Sequence, residues 1–201
     1  MSGGDEERET KLRVDDTFAL PDLTAVDGAL VEDRGERRTR AVYWDTGDLV
    51  LGRSGAGLRH RDGVWAFKGR ARSDGDAVVR EEVEEDGAIT EMPARIRERV
   101  ERLTPADGLT VIVELDTVRR TLDVRRGEEA AEVVHDRVRV LDGEREAAAF
   151  CEVEVESDAA SSGLAARLVA LLREHGAVVD PTPKLVRGLR AKGIDVPAAD
   201  A

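Results

Sequence analysis

The sequence predicts an α+β fold built on an antiparallel sheet of about eight strands, with two or three helices. Alternating segments follow one another closely and are joined by Asp-Gly turns at 62–63 and 142–143, which is typical of consecutive hairpins. Only two stretches carry a clear helical period. The 201 residues are enough for one sizeable domain, whose core must be mainly Val, Leu and Ala because aromatic residues make up only 3%.

The N-terminal half is predicted to consist mainly of strands. The first strand lies at the N-terminus, before a turn-rich stretch at Pro21 and Asp22. A short helical turn is predicted at residues 49–51, before a run of glycines. Alternation and turn residues predict further strands at 37–45, 58–61, 64–69 and 78–85.

The C-terminal half is predicted to contain the helices. Ile96, Val100 and Leu103 predict a helix over 89–103, and a leucine stripe predicts another that begins near Ser161 or Ser162 and ends at Gly176. A last short helix is predicted over 184–192. Strands are predicted at 111–124, 131–141 and 149–156. We therefore expect one domain over 1–192 and a flexible tail or linker over 193–201.

Composition excludes several classes of function. The formal net charge of −12 is unfavourable for non-specific nucleic-acid binding, which needs a positive field. No apolar run approaches the ~20 residues of a membrane span, and the acidic N-terminus is unlike a signal peptide. The single cysteine, Cys151, allows no internal disulfide and is interpreted as a small buried filler. We expect a cytoplasmic protein without membrane or nucleic-acid partners.

Several predicted strands carry charges on one face. Alternate side chains of a strand share a face. On the first strand, that face has both signs of charge, on Glu7, Glu9, Lys11 and Arg13. The same alternation recurs at Arg59/Arg61, at Arg80/Glu82/Glu84 and at Glu152/Glu154/Glu156.

Two interpretations of these faces remain open from the residues alone. They are either solvated surfaces of a half-buried sheet or, if the sheet closes, the lining of a barrel. A charged interior is unfavourable unless its charges neutralise one another or a ligand. Glutamate oxygens suit Mg²⁺ or Mn²⁺, while Arg and Lys suit phosphate. A lined barrel would therefore favour phosphoryl-transfer chemistry.

The charged motifs, taken in order, resemble the CYTH domain family, also called triphosphate tunnel metalloenzymes. Glu7-x-Glu9-x-Lys11 resembles the ExExK signature of that family. The sequence lacks the usual serine before the closing lysine, Lys184. The other matching segments are Tyr43-Trp44-Asp45-Thr46, Leu58-Arg59-His60-Arg61 with Lys68, Arg80-Glu81-Glu82-Val83-Glu84, and Phe150-Cys151-Glu152-Val153-Glu154.

The resemblance implies an eight-stranded antiparallel tunnel with helices outside, using Mg²⁺ or Mn²⁺. The metal ligands that it implies are Glu7, Glu9, Glu152 and Glu154, with Glu82 and Glu84 as further candidates. The phosphate-binding residues that it implies are Lys11, Arg40, Arg59, Arg61, Lys68, Arg80 and Lys184. Arg120 is added from its position in a long strand, and Arg119 replaces it if the register differs by one residue.

Lys11 is also the candidate catalytic residue. It either orients the attacking water or acts as a purely electrostatic phosphate ligand.

The leading functional hypothesis is a metal-dependent hydrolase of triphosphate substrates, most of all inorganic triphosphate. The alternatives are a class IV adenylate cyclase, a non-hydrolysing module that binds polyphosphate or organic phosphates, and a charged scaffold without a ligand. A helical CHAD domain is a possible partner, and the oligomeric state is left open.

Overall fold

The computed structural model describes residues 7–70, 72–74 and 77–195. The strands in this part of the chain are β1 (Glu7–Val14), β2 (Leu30–Asp45), β3 (Gly57–Arg61), β4 (Val64–Lys68), β5 (Arg72–Asp74), β6 (Ala77–Arg80), β7 (Glu82–Asp86), β8 (Thr110–Arg126), β9 (Glu129–Asp142), β10 (Arg145–Ser157) and β11 (Val178–Val179). The helices are α1 (Val50–Arg53), α2 (Ala94–Glu101), α3 (Ser162–Glu174) and α4 (Lys184–Ala191), with 3₁₀ turns at Leu23–Ala25 and Ala106–Gly108.

The strands form an antiparallel, nearly closed barrel. Their order along the sheet is β5-β6-β1-β10-β9-β8-β2-β3-β4-β7, and β11 adds to β1. Only Glu81 separates β6, which pairs with β1, from β7, which pairs with β4. One interrupted segment therefore runs from β6, to which the short β5 adds, to β7 at the opposite edge of the sheet. The predicted antiparallel barrel is confirmed, with nine barrel strands observed, or eight when β6 and β7 count as one.

The turn between β3 and β4 has the backbone that its sequence predicts. Asp62 and Gly63 both have positive φ, at 52° and 85°. This is the requirement of the two-residue turn whose twist matches that of the flanking strands. The hairpin fixes the β3 register and so the face on which Arg59 and Arg61 lie.

Helices α2 and α3 cover the outer face of the barrel, as predicted. Leu164, Leu168 and Leu172 recur every four residues on α3 and are fully buried in a cluster with Val153 and Val155 of β10. Burying such side chains contributes about 1.5–3 kcal/mol each. The apolar face of β10 must therefore point outward, towards α3.

Helix α2 is shorter than the predicted 89–103. It begins after Pro93, whose ψ of 151° is extended, and keeps Ile96 and Val100 buried against the barrel. The residue before a proline disfavours helical geometry, so the helix does not extend back to residue 89.

Helix α4 lies against the cavity-facing side of β8. Its Leu185 and Leu189 share a buried cluster with Val113 and Leu115. A Cβ at Gly188 would come within 3.0 Å of Val113, so glycine allows this close approach. The predicted last helix is confirmed at Lys184–Ala191. Residues 196–201 of the predicted tail lie outside the described residues. Among the described helices, each is too short or too polar to cross a bilayer.

Candidate active site in the barrel

A cavity of about 930 Å³ runs along the inward faces of the barrel strands and is bordered by α4. Its wall carries both signs of charge, so the charged strand faces line an interior rather than an outer surface. The charged lining residues are Glu9, Lys11, Arg59, Arg61, Lys68, Arg70, Arg80, Glu82, Glu84, Arg119, Glu132, Asp136, Glu154, Glu156, Lys184 and Arg190.

The orientation of these side chains follows from strand alternation. On β10, Val153 and Val155 pack under α3, and the intervening glutamates must then point inward. Glu154 is only 2% exposed and lines the cavity. The apolar outer face of the strand therefore places charge inside the barrel.

Three carboxylates meet where β1 and β10 pair. The register places Glu9 opposite Glu156 and Lys11 opposite Glu154. Ligand oxygens of Glu9, Glu154 and Glu156 all lie within 4.8 Å of one another. Burial, together with repulsion from Glu154 and Glu9, raises the pKa of Glu156 to about 7. Such a set of hard oxygen donors fits Mg²⁺ or Mn²⁺.

Glu156 is missing from the ligand set that the sequence resemblance implied. The signal was present, because the alternation that places Glu152 and Glu154 on one face continues to Glu156. The segment that resembles the family motif includes only Glu152 and Glu154. The proximity of Glu156 to Glu9 on the neighbouring strand adds Glu156 to the candidate ligands.

Lys11 is buried among the carboxylates. Its Nζ donates to Glu9 Oε1 at 2.5 Å and to Glu154 Oε1. Burial lowers the pKa of Lys11, but Glu154 and Glu9 outweigh burial, so its pKa is raised. Lys11 therefore stays an ammonium, which favours an electrostatic role over proton abstraction.

Three of the arginines that line the cavity, Arg59, Arg61 and Arg119, lie close enough to repel one another. Arg119 donates to Asp136 at 2.9 and 2.7 Å and to Glu154 at 3.2 Å. No described carboxylate lies within 4.0 Å of the Arg61 guanidinium. Burial, and then repulsion from Arg59 and Arg119, lowers the pKa of Arg61. A half-buried guanidinium between like charges marks a place for an anion.

Three cations of the cavity wall contact glutamates of β7 and β1. Lys68 lies 2.8 Å from Glu82, and Arg59 donates to Glu84 at 3.2 Å. Arg80 donates to Glu9 at 3.1 Å. The structure thus brings into one cavity the predicted phosphate-binding residues Lys11, Arg59, Arg61, Lys68, Arg80 and Lys184.

Arg40 and Arg120 lie outside the cavity, which corrects their expected placement. Arg40 is 62% exposed and donates to Glu114 at 2.9 Å, while Arg120 is 44% exposed and donates to Asp33 at 2.6 Å. Both sit one residue away from inward-facing positions of β2 and β8. Arg119, the alternative in the one-residue register shift, is the arginine that lines the cavity.

The other predicted metal ligands are distributed differently. Glu82 and Glu84 line the cavity next to Lys68 and Arg59 but are not part of the three-carboxylate group. Glu152 is 0% exposed, and its carboxylate lies with those of Asp136 and Glu154 in a second group whose ligand oxygens are within 4.8 Å of one another and could hold a metal ion. The backbone of Glu7 belongs to β1, but its side chain lies outside what the structure describes.

Asp45, in the Tyr-Trp-Asp-Thr segment, has a structural role. It is 1% exposed and accepts hydrogen bonds from the backbone N–H groups of Leu51 at 2.9 Å and Gly52 at 2.8 Å. This bonding fixes α1 and the glycine-rich loop after it, which forms part of the cavity wall.

A second carboxylate group surrounds Lys184. Its Nζ lies 2.9 Å from Asp136 Oδ2, 2.5 Å from Glu152 Oε1 and 2.8 Å from Glu154 Oε1. Burial opposes the charge of Lys184, yet the three carboxylates raise its pKa well above the usual value. Lys184 is therefore a fixed positive charge at the junction of α4 with the barrel.

Comparison with protein families identifies this architecture. The model of the CYTH domain matches residues 5–177. The chain belongs to the CYTH domain family. The match covers β1 to β10 and thus the three-carboxylate group and the arginines, whereas Lys184 lies beyond it. CYTH proteins include triphosphatases and cyclases, bind triphosphate substrates and depend on metal ions.

Solved structures support the same fold. The candidate adenylyl cyclase HpAC1 from Hippeastrum, described as having a dominant triphosphatase activity, is 19% identical with a TM-score of 0.62; the match covers 95% of this chain and 98% of that chain. The PH1819 protein from Pyrococcus horikoshii OT3 is 17% identical with a TM-score of 0.58, covering 92% and 98%. At these identities, the likeness shows the fold alone. No curated protein sequence matches the chain.

Proposed function

We propose that this CYTH protein is a metal-dependent phosphohydrolase that acts on triphosphate substrates, with inorganic triphosphate as the preferred one. The observation that carries the proposal is the adjacency of two groups in one cavity. Arg59, Arg61 and Arg119 provide a site for an anion, and the carboxylates of Glu9, Glu154 and Glu156 provide a site for a divalent cation. Arg119 contacts Glu154 at 3.2 Å, so the two sites adjoin.

The arginines would bind and orient the phosphate chain. Guanidinium groups match phosphate oxygens with two parallel hydrogen bonds, and ammonium groups add point charge. Arg59 and Arg119 repel the charge of Arg61, and attraction to a bound phosphate would offset this repulsion. In phosphoryl transfer most of the catalysis consists of positioning and electrostatic stabilisation, which this arrangement is built to supply.

Glu9, Glu154 and Glu156 would hold Mg²⁺ or Mn²⁺. A bound ion of this kind neutralises phosphate oxygens and helps the transferred phosphoryl group to leave. In the proposed reaction, a water oxygen bonds to the terminal phosphorus as the bond to the bridging oxygen breaks. Diphosphate and phosphate are released, and the water proton passes to the products or solvent. Lys11 would stabilise the charge that develops at this position.

The distribution of aromatic residues favours a triphosphatase over a cyclase. Among the described residues that line the cavity, Tyr43 is the single aromatic one. Trp44 and Trp65 instead contact each other, with ring centroids 5.9 Å apart, and pack in or against the core beneath α2. A cyclase would need a surface for the adenine ring, which stacking aromatics commonly provide.

An assay of three substrates tests the proposal. The protein is incubated with inorganic triphosphate, thiamine triphosphate or ATP, with and without Mg²⁺ or Mn²⁺, and phosphate, diphosphate and cyclic AMP are measured. We expect metal-dependent release of phosphate, fastest from inorganic triphosphate. Formation of cyclic AMP would favour a cyclase. Tight binding of triphosphate without turnover of any substrate would indicate a binding module.

The substitution Glu9→Gln tests the metal-binding role. It keeps the shape of the side chain but removes one charged ligand, so metal-dependent turnover should fall by about 100-fold or more. Glu114→Gln is the matched control, because Glu114 pairs with Arg40 outside the cavity. Full activity of the Glu9→Gln variant would contradict the assignment.

A further inference from the structure

Two threonines form an uncharged part of the cavity wall. Thr39 of β2 and Thr117 of β8 both line the cavity, and the strand register places them directly opposite each other. The Cβ atoms of such a cross-strand pair lie about 4.5–5.5 Å apart, so the two side chains form one continuous surface. Both threonines lie outside the charged motifs of the sequence.

The hydroxyl groups of both threonines are unpaired and accessible. Each residue is only 6% exposed. Within the part of the chain that the structure describes, neither Oγ1 has a hydrogen-bond partner, yet neither oxygen is fully buried. Each hydroxyl therefore keeps access to the cavity. A largely enclosed hydroxyl without a protein partner is unfavourable, which favours a bound polar group beside it.

The threonine pair lies between two arginines of the anion site. On the inward face of β8, Thr117 precedes Arg119 by two residues, which is about 6.8 Å along a strand. On β2, the next inward residue after Thr39 is Ala41, and Ala41 pairs with Arg61 of β3. The two hydroxyls are therefore placed where the Arg61 and Arg119 side chains approach each other.

Packing alone does not explain these two hydroxyls. The next inward side chains on the two strands, Ala41 and Leu115, are apolar and belong to the cluster that includes Leu185 of α4. At the border of this cluster, valine would fill the same volume as threonine and is an equally good strand residue. What threonine adds at both positions is a hydrogen-bonding group that faces the cavity.

We infer that Thr39 and Thr117 bind the substrate, and that their hydroxyls donate hydrogen bonds to oxygens of the phosphate group held by Arg61 and Arg119. The inference rests on the proposed function, since it adds two residues to the phosphate site. The arginines attract anions at a distance, whereas a hydroxyl needs an acceptor oxygen within about 3 Å. The threonines thus make the site selective for where the phosphate oxygens lie.

The test replaces each hydroxyl by a methyl group. Binding of inorganic triphosphate is measured by calorimetry in EDTA, and kcat and KM are measured with Mg²⁺. Thr39→Val and Thr117→Val should each weaken binding and raise KM by about five- to tenfold, with kcat within about threefold of wild type. The serine variants Thr39→Ser and Thr117→Ser keep the hydroxyl, so their affinity should stay within about threefold of wild type.

Thr10→Val is the matched control. Thr10 is also buried, at 7% exposed, but it lies opposite Val155, which packs beneath α3 on the outer side of the barrel. Its substitution should leave triphosphate affinity within about twofold of wild type.

Two further measurements separate substrate binding from a structural role. In urea unfolding, the Thr39 and Thr117 valine variants should be at least as stable as wild type, because valine has no unpaired hydroxyl to enclose. Their affinity should also keep the salt dependence of wild type, whereas Arg119→Ala should reduce it, because only the arginine contributes charge.

Two results would overturn the inference. One is triphosphate affinity and KM within about twofold of wild type in both valine variants. The other is an equal loss of affinity in the serine variants together with lower stability, which would indicate a packing defect. A wild-type protein that neither binds nor hydrolyses inorganic triphosphate would instead overturn the proposed function. The two failures are therefore distinguishable.

Discussion

The two faces of β8 and β9 carry similar ion pairs in opposite environments. On the inner face Arg119 pairs with Asp136, which is 0% exposed. One residue further along each strand, Arg120 pairs with Asp33 and Arg137 pairs with Glu36 on the outer face. Those outer side chains are about half exposed. The pairs therefore differ mainly in burial and in which side of the sheet they occupy.

The difference indicates what each set of charges does. Exposed pairs contribute about 0.2–1 kcal/mol, because water screens them and the side chains lose freedom. Buried charges carry a desolvation penalty that their partners offset only in good geometry, so they are weak evidence for stability. The outer pairs make a charged strand surface compatible with water. The inner charges are interpretable as a preorganised site for a charged ligand.

The largest expected effect comes from the neighbouring arginines. Arg119→Ala should lower the turnover of triphosphate by about 10²–10³, because it removes a donor from the proposed phosphate site. Arg120→Ala should leave turnover within about twofold, since Arg120 points outward. Steady-state kinetics of both variants checks this, with thermal unfolding as a control for folding. Equal losses of turnover in the two variants would contradict the assignment of Arg119 to the cavity and of Arg120 to the outer face.

A second test uses the raised pKa of Glu156. Its folded-state pKa is about 7 against an ordinary value of 4.5. Between these values the unfolded chain ionises while the folded protein stays protonated, so stability is lost as pH rises from 4.5 to 7. At about 1.36 kcal/mol per pH unit, the loss is roughly 3 kcal/mol. Glu156→Gln should therefore be more stable than wild type at pH 8.

Urea unfolding in the presence of EDTA measures this difference. The gain of the Glu156→Gln variant should vanish near pH 4, where the wild-type carboxyl is protonated in both states. Glu114→Gln, on the outer face, should show no comparable gain at pH 8. Equal stability of wild type and Glu156→Gln at pH 8 would mean that repulsion at the carboxylate group is absent.

His135 lies on the outer face of the sheet, yet it is only 8% exposed. It therefore tests the effect of burial on a titratable group that does not face the cavity. Its buried Nε2 has no hydrogen-bond partner, and its ring lies edge-on to Phe18 with centroids 5.9 Å apart. Burial, and then the charge of Arg137, lowers its pKa below 6.5. Stability should therefore be lost as pH falls below about 6.5.

The substitution His135→Gln removes this titration. The variant should lose less thermal stability than wild type between pH 7.5 and pH 5.5, as measured by the shift of the unfolding midpoint. Parallel curves for the two proteins would show that the folded protein accepts the charged imidazole without loss, and that burial at this position has little effect.

The smallest effect is expected for an outer pair. Arg40→Ala removes the contact with Glu114, in which Arg40 is 62% exposed. The free energy of unfolding should change by less than about 1 kcal/mol, and turnover should be unchanged. Urea unfolding measures the first and kinetics the second. A marked loss of turnover would place Arg40 in the site despite its outward position.

Local sequence signals predicted much of the fold. Asp62-Gly63 specified a two-residue turn because both positions need positive φ, and the leucines at every fourth residue specified the buried stripe of α3. Both signals act over a few residues. These local signals did not predict the start of β2. The strand begins at Leu30 rather than at the predicted residue 37, because pairing with β8 extends it.

The sequence predicted which kinds of residue form the site, but it predicted only some of their positions. Alternation on β1, β3 and β10 identified Glu9, Lys11, Arg59, Arg61 and Glu154 as members of common faces. The choice between Arg119 and Arg120 depended on the register of a long strand, in which a shift of one residue reverses every side chain. Likewise, only the packing of α4 brings Lys184 to the carboxylates of Asp136, Glu152 and Glu154.

The sequence by itself determined that several strands would each carry a charged face, because side-chain alternation is a local property of an extended chain. Its ordered motifs also identified the CYTH family. Only the tertiary structure decided that these faces share one interior and which carboxylates meet. Those contacts join residues far apart in sequence, such as Glu9 with Glu156 and Lys184 with Glu152, and depend on barrel closure and helix packing.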